Sequence, residues 1–190
     1  MFSLVQSNAF PASRIHASNM RELCSWCKRY IQFIKHTCVN PCAVFDIDHT
    51  LVNETENPIK EIISLFQFCN NVKVPCFIVT ARLKSATNFE HTTKMLERNN
   101  VNKYVKMFMM NREKEVTFDS VARFKRKCRN TIEREYKIVF NIGDQWSDLG
   151  STSQLQSLSR EVLHDPRFCG VLMIPDTCCM SVKLSNPLET

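Results

Sequence analysis

Alternation between short apolar runs and helical-period segments constrains this chain more than any other feature. Four runs stand out: CAVFDI (42–47), VPCFIVT (74–80), KYVKMFMM (103–110) and YKIVFNI (136–142). Each is short enough for a strand buried on both faces, where period-2 alternation is not required. Between them lie 58–71, opened by Pro58 and spacing Ile59, Ile62, Ile63 and Phe66 as a helix, then 84–99, then a basic helix over 119–135. A helix around 151–163 and a last short strand, GVLMI (170–174), close the series. Strands joined by helical crossovers predict a parallel sheet with helices on both faces, an α/β domain over 41–190. Ahead of it, Leu23, Trp26, Cys27, Tyr30, Ile31 and Ile34 mark an amphipathic helix from about residue 19 to 36. Residues 1–18 read as a poorly ordered arm, so 1–40 forms an arm and a docked helix.

Composition removes several function classes. The three glycines, Gly143, Gly150 and Gly170, cannot spell a glycine-rich nucleotide loop, so a phosphate site here must use another device. No apolar stretch is long enough to span a bilayer as a helix, and a membrane role is not expected. The net charge of +6 is concentrated at +4 in residues 1–41 and +4 in 112–137, an excess that suits either a solvated surface or phosphorylated partners. The ten cysteines do not imply a disulfide framework, because the first residues lack a basic segment followed by an apolar run. The expected setting is therefore cytoplasmic, with the thiols acting as small core hydrophobes. Cys24, Cys27, Cys38 and Cys42 have a spacing that can hold zinc. Against zinc, the first two fall in a helical pattern and Cys42 leads into a strand.

Ligands of parallel sheets bind beyond the carboxyl ends of the strands. Here the first strand ends in Asp46-Ile47-Asp48-His49-Thr50, the second in Thr80-Ala81-Arg82 and the fourth in Gly143-Asp144-Gln145-Trp146-Ser147-Asp148. Asp46 and Asp48 point the same way from an extended backbone. Asp144 and Asp148, four apart, share a face if they open a helix. Carboxylates gathered at one edge repel one another unless a cation sits among them, and hard oxygen donors favour magnesium. Acids in turns and helix caps are common, so one Asp-x-Asp is weak evidence; two acid clusters, each following an apolar strand, are much stronger. Thr80 offers a hydroxyl to a phosphate, and the segment Arg123–Arg129 offers a lysine.

These residues resemble a known pattern. FDIDHTL (45–51), IVTAR (78–82), a lysine-bearing helix and NIGDQWSDL (141–149) follow the order of the haloacid dehalogenase (HAD) superfamily of aspartate-nucleophile phosphatases. GDQWSDL, the stretch from Thr80 to Val101 and the tail VKLSNPL (182–188) are similar to the branch holding plant vegetative storage proteins and bacterial class B and C acid phosphatases. The resemblance implies a Rossmann-like three-layer α/β/α fold without a large cap, and a magnesium-dependent phosphomonoester hydrolase. Asp46 would be the nucleophile, and Asp48 the general acid and base that also offers its carbonyl to the metal. Asp144 would be the second carboxylate ligand, with Asp46 the first, and Asp148 a group behind them. Thr80 and a lysine would bind the substrate phosphate. Lys125 followed by Arg129 fits the Lys-then-Arg spacing, whereas its distance to Asp144 is one residue short, which leaves Lys127 as the alternative. His49 stands where the branch usually has Glu, either as a tolerated exposed position or as a change in substrate access.

The gaps between motifs hold only crossover helices and strands, so the site should be open to bulky phosphomonoesters: small molecules, nucleotides or phosphoproteins. Gln145-Trp146 beside the metal could stack a base or sit in the core. Two other readings compete: a non-catalytic storage or binding protein on the same fold, and a nucleic-acid end phosphatase or binder. The intact Asp46 speaks against the first. The second is not favoured, because no stretch interleaves exposed aromatics with basic residues. No feature specifies an oligomeric state.

Overall fold

A computed structural model describes residues 4–7, 10–14, 20–111, 116–149, 170–174 and 179–184. In chain order the elements are β1 (Leu4–Ser7), β2 (Phe10–Arg14), α1 (Met20–Ile34), β3 (Pro41–Phe45), α2 (Lys60–Asn71), β4 (Cys76–Leu83), α3 (Ala86–Arg98), β5 (Lys106–Met110), α4 (Phe118–Ile132), β6 (Lys137–Gly143), β7 (Gly170–Ile174) and β8 (Cys179–Lys183). The eight strands form one sheet in the order β1-β2-β7-β8-β6-β3-β4-β5. Its core is parallel: β8, β6, β3, β4 and β5 all run the same way, as the alternation of strands and helices predicts.

The other three strands depart from the sequence reading. Residues 4–7 and 10–14 are not an unstructured arm; β1 and β2 pair antiparallel and β2 adds to β7. β7 itself lies antiparallel to β8, so GVLMI does not continue the parallel run. β8 carries only Val182 as a β-branched apolar residue within CMSVK, too weak a local signal to read as a strand. Its pairing with β6 and β7, and not its propensity, makes it one. The expected helix over 151–163 lies outside the described residues.

Alternation along β3 divides the core between the two faces. Ala43 and Phe45 join Leu23, Cys27 and Ile31 of α1, Ile62 and Phe66 of α2, and Met95 and Leu96 of α3 on one side. Phe45 meets Phe66 edge-on at 5.3 Å and Phe140 at 5.9 Å. Cys42 and Val44 face the other way, to Cys128 and Ile132 of α4, with Phe108 and Phe124 at the margin. A fully buried side chain of this size contributes about 1.5–3 kcal/mol, so these contacts dominate the packing.

Local signals set the helix starts. Ser85 caps α3 by accepting from the Asn88 amide, and Thr117 and Ser120 form a reciprocal capping box on α4. With so few glycines, left-handed backbone falls to other residues, among them Asn40, His49, Glu56, Lys73 and Asn100. Asn tolerates that region best, which suits the turn before β3 and the turn after α3.

The four cysteines that could have held zinc do not assemble. Cys24 and Cys27 are buried on the α1 side of the sheet and Cys42 on the α4 side, with Cys38 half-buried in the connecting turn. They are core residues divided by the sheet.

Candidate active site

The carboxyl ends of β3, β4 and β6 converge on one acidic centre. Asp46 directly follows β3, and its amide donates to the Ile142 carbonyl of β6, 3.1 Å away, which ties the two strand ends together. Asp144 follows β6. Asp148 closes a single 3-10 turn over Trp146–Asp148, not the longer helix expected at this point. Its Oδ2 accepts from the Gln145 amide at 3.1 Å and so folds back towards Asp144. Asp46, Asp144 and Asp148 are all buried, each with a carboxylate oxygen within 4.8 Å of the others'.

Helix phase decides which lysine enters. Buried positions of α4 include Lys125, Cys128, Arg129 and Ile132, a stripe at helical spacing. Lys125 is 2% exposed, ion-paired to Asp148 and 3.4 Å from Asp46 Oδ2. Lys127, two residues on, points away and is exposed, because two positions turn a helix by about 200°. Arg129, one turn after Lys125, donates to the Ser147 carbonyl at 2.8 Å and braces the turn that carries Asp148.

Crowding perturbs every group here. Burial, and then the Asp148 charge, push the Asp46 carboxyl well above the usual carboxylate range, with Lys125 pulling the other way. The same two causes raise Asp144 to about 6. Burial opposes the charge on Lys125, but Asp148, Asp46 and Asp144 outweigh it and hold the ammonium above the ordinary lysine range. Of the three clustered carboxylates, Asp46 and Asp148 contact the single ammonium directly, and Asp46 Oδ1 is buried with no hydrogen-bond donor among the described residues. An unsatisfied carboxylate oxygen inside an all-oxygen donor set is what a hard divalent cation would complete, so these residues fit magnesium. Asp46 and Asp144 would supply the carboxylates, with the Asp48 carbonyl a further oxygen.

Asp48 stands apart from this centre. Its side chain is 44% exposed and turns towards Arg82, which donates through Nε to both carboxylate oxygens, at 3.2 and 3.1 Å, and through Nη2 to Oδ1 at 2.8 Å. Arg82 also reaches Glu56 Oε1 at 3.2 Å, and Glu56 in turn lies 3.5 Å from His91. Sequence reasoning noted Arg82 at the end of its strand but gave it no role, and overlooked Glu56. An arginine closing an apolar strand beside Thr80 was the available signal; Glu56 had none, since its contact depends on the turn after β3. Thr80 is fully buried at the same strand end, its Oγ1 accepting from the Arg82 amide at 3.2 Å.

Three further residues complete the surroundings of the centre. His49 is half-buried with left-handed backbone, and its Nδ1 has no partner among the described residues, so it is not simply an exposed position. Trp146 is half-buried, with the Lys183 ammonium 5.6 Å over its ring. Gly143 is not needed for a positive φ; among the described residues no glycine has one. It is needed for space, because a methyl group there would overlap the Asp148 side chain.

A sheet with a parallel five-stranded core, a carboxylate cluster and a buried lysine at its carboxyl edge, and no cap inserted among the described residues, defines a Rossmann-like class of protein with its site where such sheets bind ligands. The chain belongs to the HAD superfamily, subfamily IIIB (acid phosphatase), whose family model matches residues 52–188. That match takes in Thr80, Lys125, Asp144 and Asp148 and begins shortly after Asp46 and Asp48. No curated protein matches the chain.

Proposed function

We propose that this chain is a magnesium-dependent phosphomonoester hydrolase that works through an aspartyl-phosphate on Asp46. The observation that carries this reading is the buried cluster of Asp46, Asp144 and Asp148 with Lys125 set 3.4 Å from Asp46. When bound, magnesium would neutralise charge on the phosphoryl oxygens and on the clustered carboxylates.

The chain's own residues supply the rest. Lys125 favours the ionised form of Asp46 against the burial that opposes it and attracts the phosphoryl group, while the Thr80 hydroxyl donates to a non-bridging oxygen. A bond forms between an Asp46 oxygen and phosphorus as the bond to the leaving oxygen breaks, and Asp48 delivers a proton to that oxygen. Asp48 then takes a proton from water as the water oxygen attacks phosphorus. The bond to Asp46 breaks, and inorganic phosphate leaves with Asp46 restored. Asp48 is ion-paired with Arg82, so that pair must open and the carboxylate take up a proton from solvent before the first step; the phosphoryl oxygens offer the freed guanidinium the same forked geometry.

The test is hydrolysis of para-nitrophenyl phosphate and a nucleotide panel by the full chain with magnesium. Activity that EDTA abolishes and Asp46→Asn lowers by about a thousandfold or more supports the reading. An inert wild-type protein, or activity unchanged in Asp46→Asn, overturns it. A beryllofluoride adduct on Asp46 separates this enzyme from a non-catalytic relative on the same fold.

A further inference from the structure

A second feature lies outside the acidic centre, along the free edge of the sheet. β5 ends the strand order, and a groove of about 380 Å³ runs beside it between α3 and α4. Lys84, Lys106 and Lys127 line it together with Phe89, Phe108 and Phe124. These residues come from four separate segments: the residue after β4, the start of α3, β5 and α4. No stretch of sequence interleaves them, which is why the chain read linearly shows no platform of aromatics and bases. Folding assembles one.

The lining is chemically one-sided. No Asp or Glu lines the groove among the described residues, and none of the three lysines forms an ion pair with a described carboxylate. Phe89 is 47% exposed, and the Lys106 ammonium sits 4.9 Å over the Phe108 ring. The groove lysines act on the interior too: with Arg129, Lys127 and Lys106 restrain the rise of the buried Cys128 thiol. An occupant must therefore offer negative charge and flat apolar faces together.

Spacing selects an extended ligand. Lys106 opens β5, whereas the Lys84 amide bonds to the Met110 carbonyl at its far end, 2.6 Å away. The two backbone positions are thus separated by about 13 Å of strand, four residue rises at roughly 3.3 Å each. Lysines at both ends of the strand offer separate positions to successive phosphates of one chain. A duplex keeps its bases stacked within and cannot present their faces to phenylalanine, while a single strand can.

We propose that this groove binds single-stranded nucleic acid, with bases stacked on Phe89 and its neighbouring rings and phosphates paired to Lys84, Lys106 and Lys127. This binding stands independently of the hydrolase reading, since none of these six residues belongs to the acidic centre.

The experiment is fluorescence anisotropy of a labelled oligothymidylate with the full chain in EDTA, which excludes turnover. Binding should weaken with salt, at a log–log slope of about −2 for three phosphate contacts on a single strand. Phe89→Ala should weaken it by about tenfold, within the range expected for loss of one stacked base. Lys84→Gln, Lys106→Gln and Lys127→Gln combined should reduce it by about tenfold or more and flatten the slope, with far-ultraviolet circular dichroism unchanged. Arg21→Gln with Lys28→Gln, on the surface between α1 and α2, should leave it unaltered. Absence of binding at low salt overturns the proposal. So do equal affinity for inorganic polyphosphate or for a duplex of the same length, displacement by a mononucleotide at similar concentration, and indifference to Phe89→Ala.

Discussion

The acidic centre and the β5 groove share an element yet differ in nearly every physical respect. α4 sends Lys125 into a buried cluster of carboxylates and Arg129 to the turn that carries Asp148, and on its other flank sends Phe124 and Lys127 to an open, basic, aromatic surface. At the centre, lysine is 2% exposed and its charge is engaged; at the groove, lysine is exposed and unpaired with described acids. The contrast shows that lysines two residues apart can have opposite roles. Burial makes one a structural counter-charge, and exposure makes the other available to a ligand.

Breaking the centre should cost far more than breaking the groove. Lys125→Met removes the ammonium from three buried carboxylates and should destabilise the fold by about 3–5 kcal/mol in urea denaturation with EDTA present. Lys127→Met should stay within about 0.5 kcal/mol. Equal effects would erase the distinction between the two faces of α4.

Gly143→Ala tests whether the centre depends on backbone space. The added methyl must displace Asp148, and the expected loss is about 1–3 kcal/mol in thermal or urea unfolding, with reduced phosphatase turnover. Oligonucleotide binding should be unchanged, because the groove does not touch this turn.

Arg82→Lys keeps the charge but loses the fork that holds Asp48. A drop of about tenfold in kcat/KM is expected, equivalent to one charge-assisted hydrogen bond of about 1.4 kcal/mol. The thermal midpoint should move little, since the pair is partly exposed.

The thiols between the two regions come last, because near neutral pH their titration has no effect and it appears only in alkali. Burial raises Cys179 to about 12 and Cys128 to about 11, above the 9.0 of a free thiol. Both thiols are neutral in the folded and unfolded chain below pH 9; above it only the unfolded chain ionises. Stability should therefore fall as pH rises from 9, by at most about 1.4 kcal/mol per unit for each thiol, until the folded values are reached. Cys128, with the lower value and its place in the groove lining, should be alkylated before Cys179 and be protected by bound oligonucleotide.

Much of this was legible because it is local. Apolar runs and helical periods place β3 to β6 and α1 to α4 within a few residues of their observed bounds. Acids directly after those runs mark Asp46, Asp144 and Asp148. Pairings between distant segments were not legible: the β1–β2 hairpin on β7, and β8 beside β6. Each depends on partners far away in the chain, which no window of sequence contains.

The sequence by itself determined an α/β chain whose strand ends carry carboxylates, and the residue types that phosphate chemistry needs. The tertiary structure decided which of them meet. It chose Lys125 over Lys127, bound Asp148 to that lysine, turned Asp48 to Arg82, and gathered three lysines and three phenylalanines from four segments into one groove. The physical reason is that periodicity and capping act over a single helical turn. Burial, ion pairing and the assembly of a surface act only once distant segments have packed together.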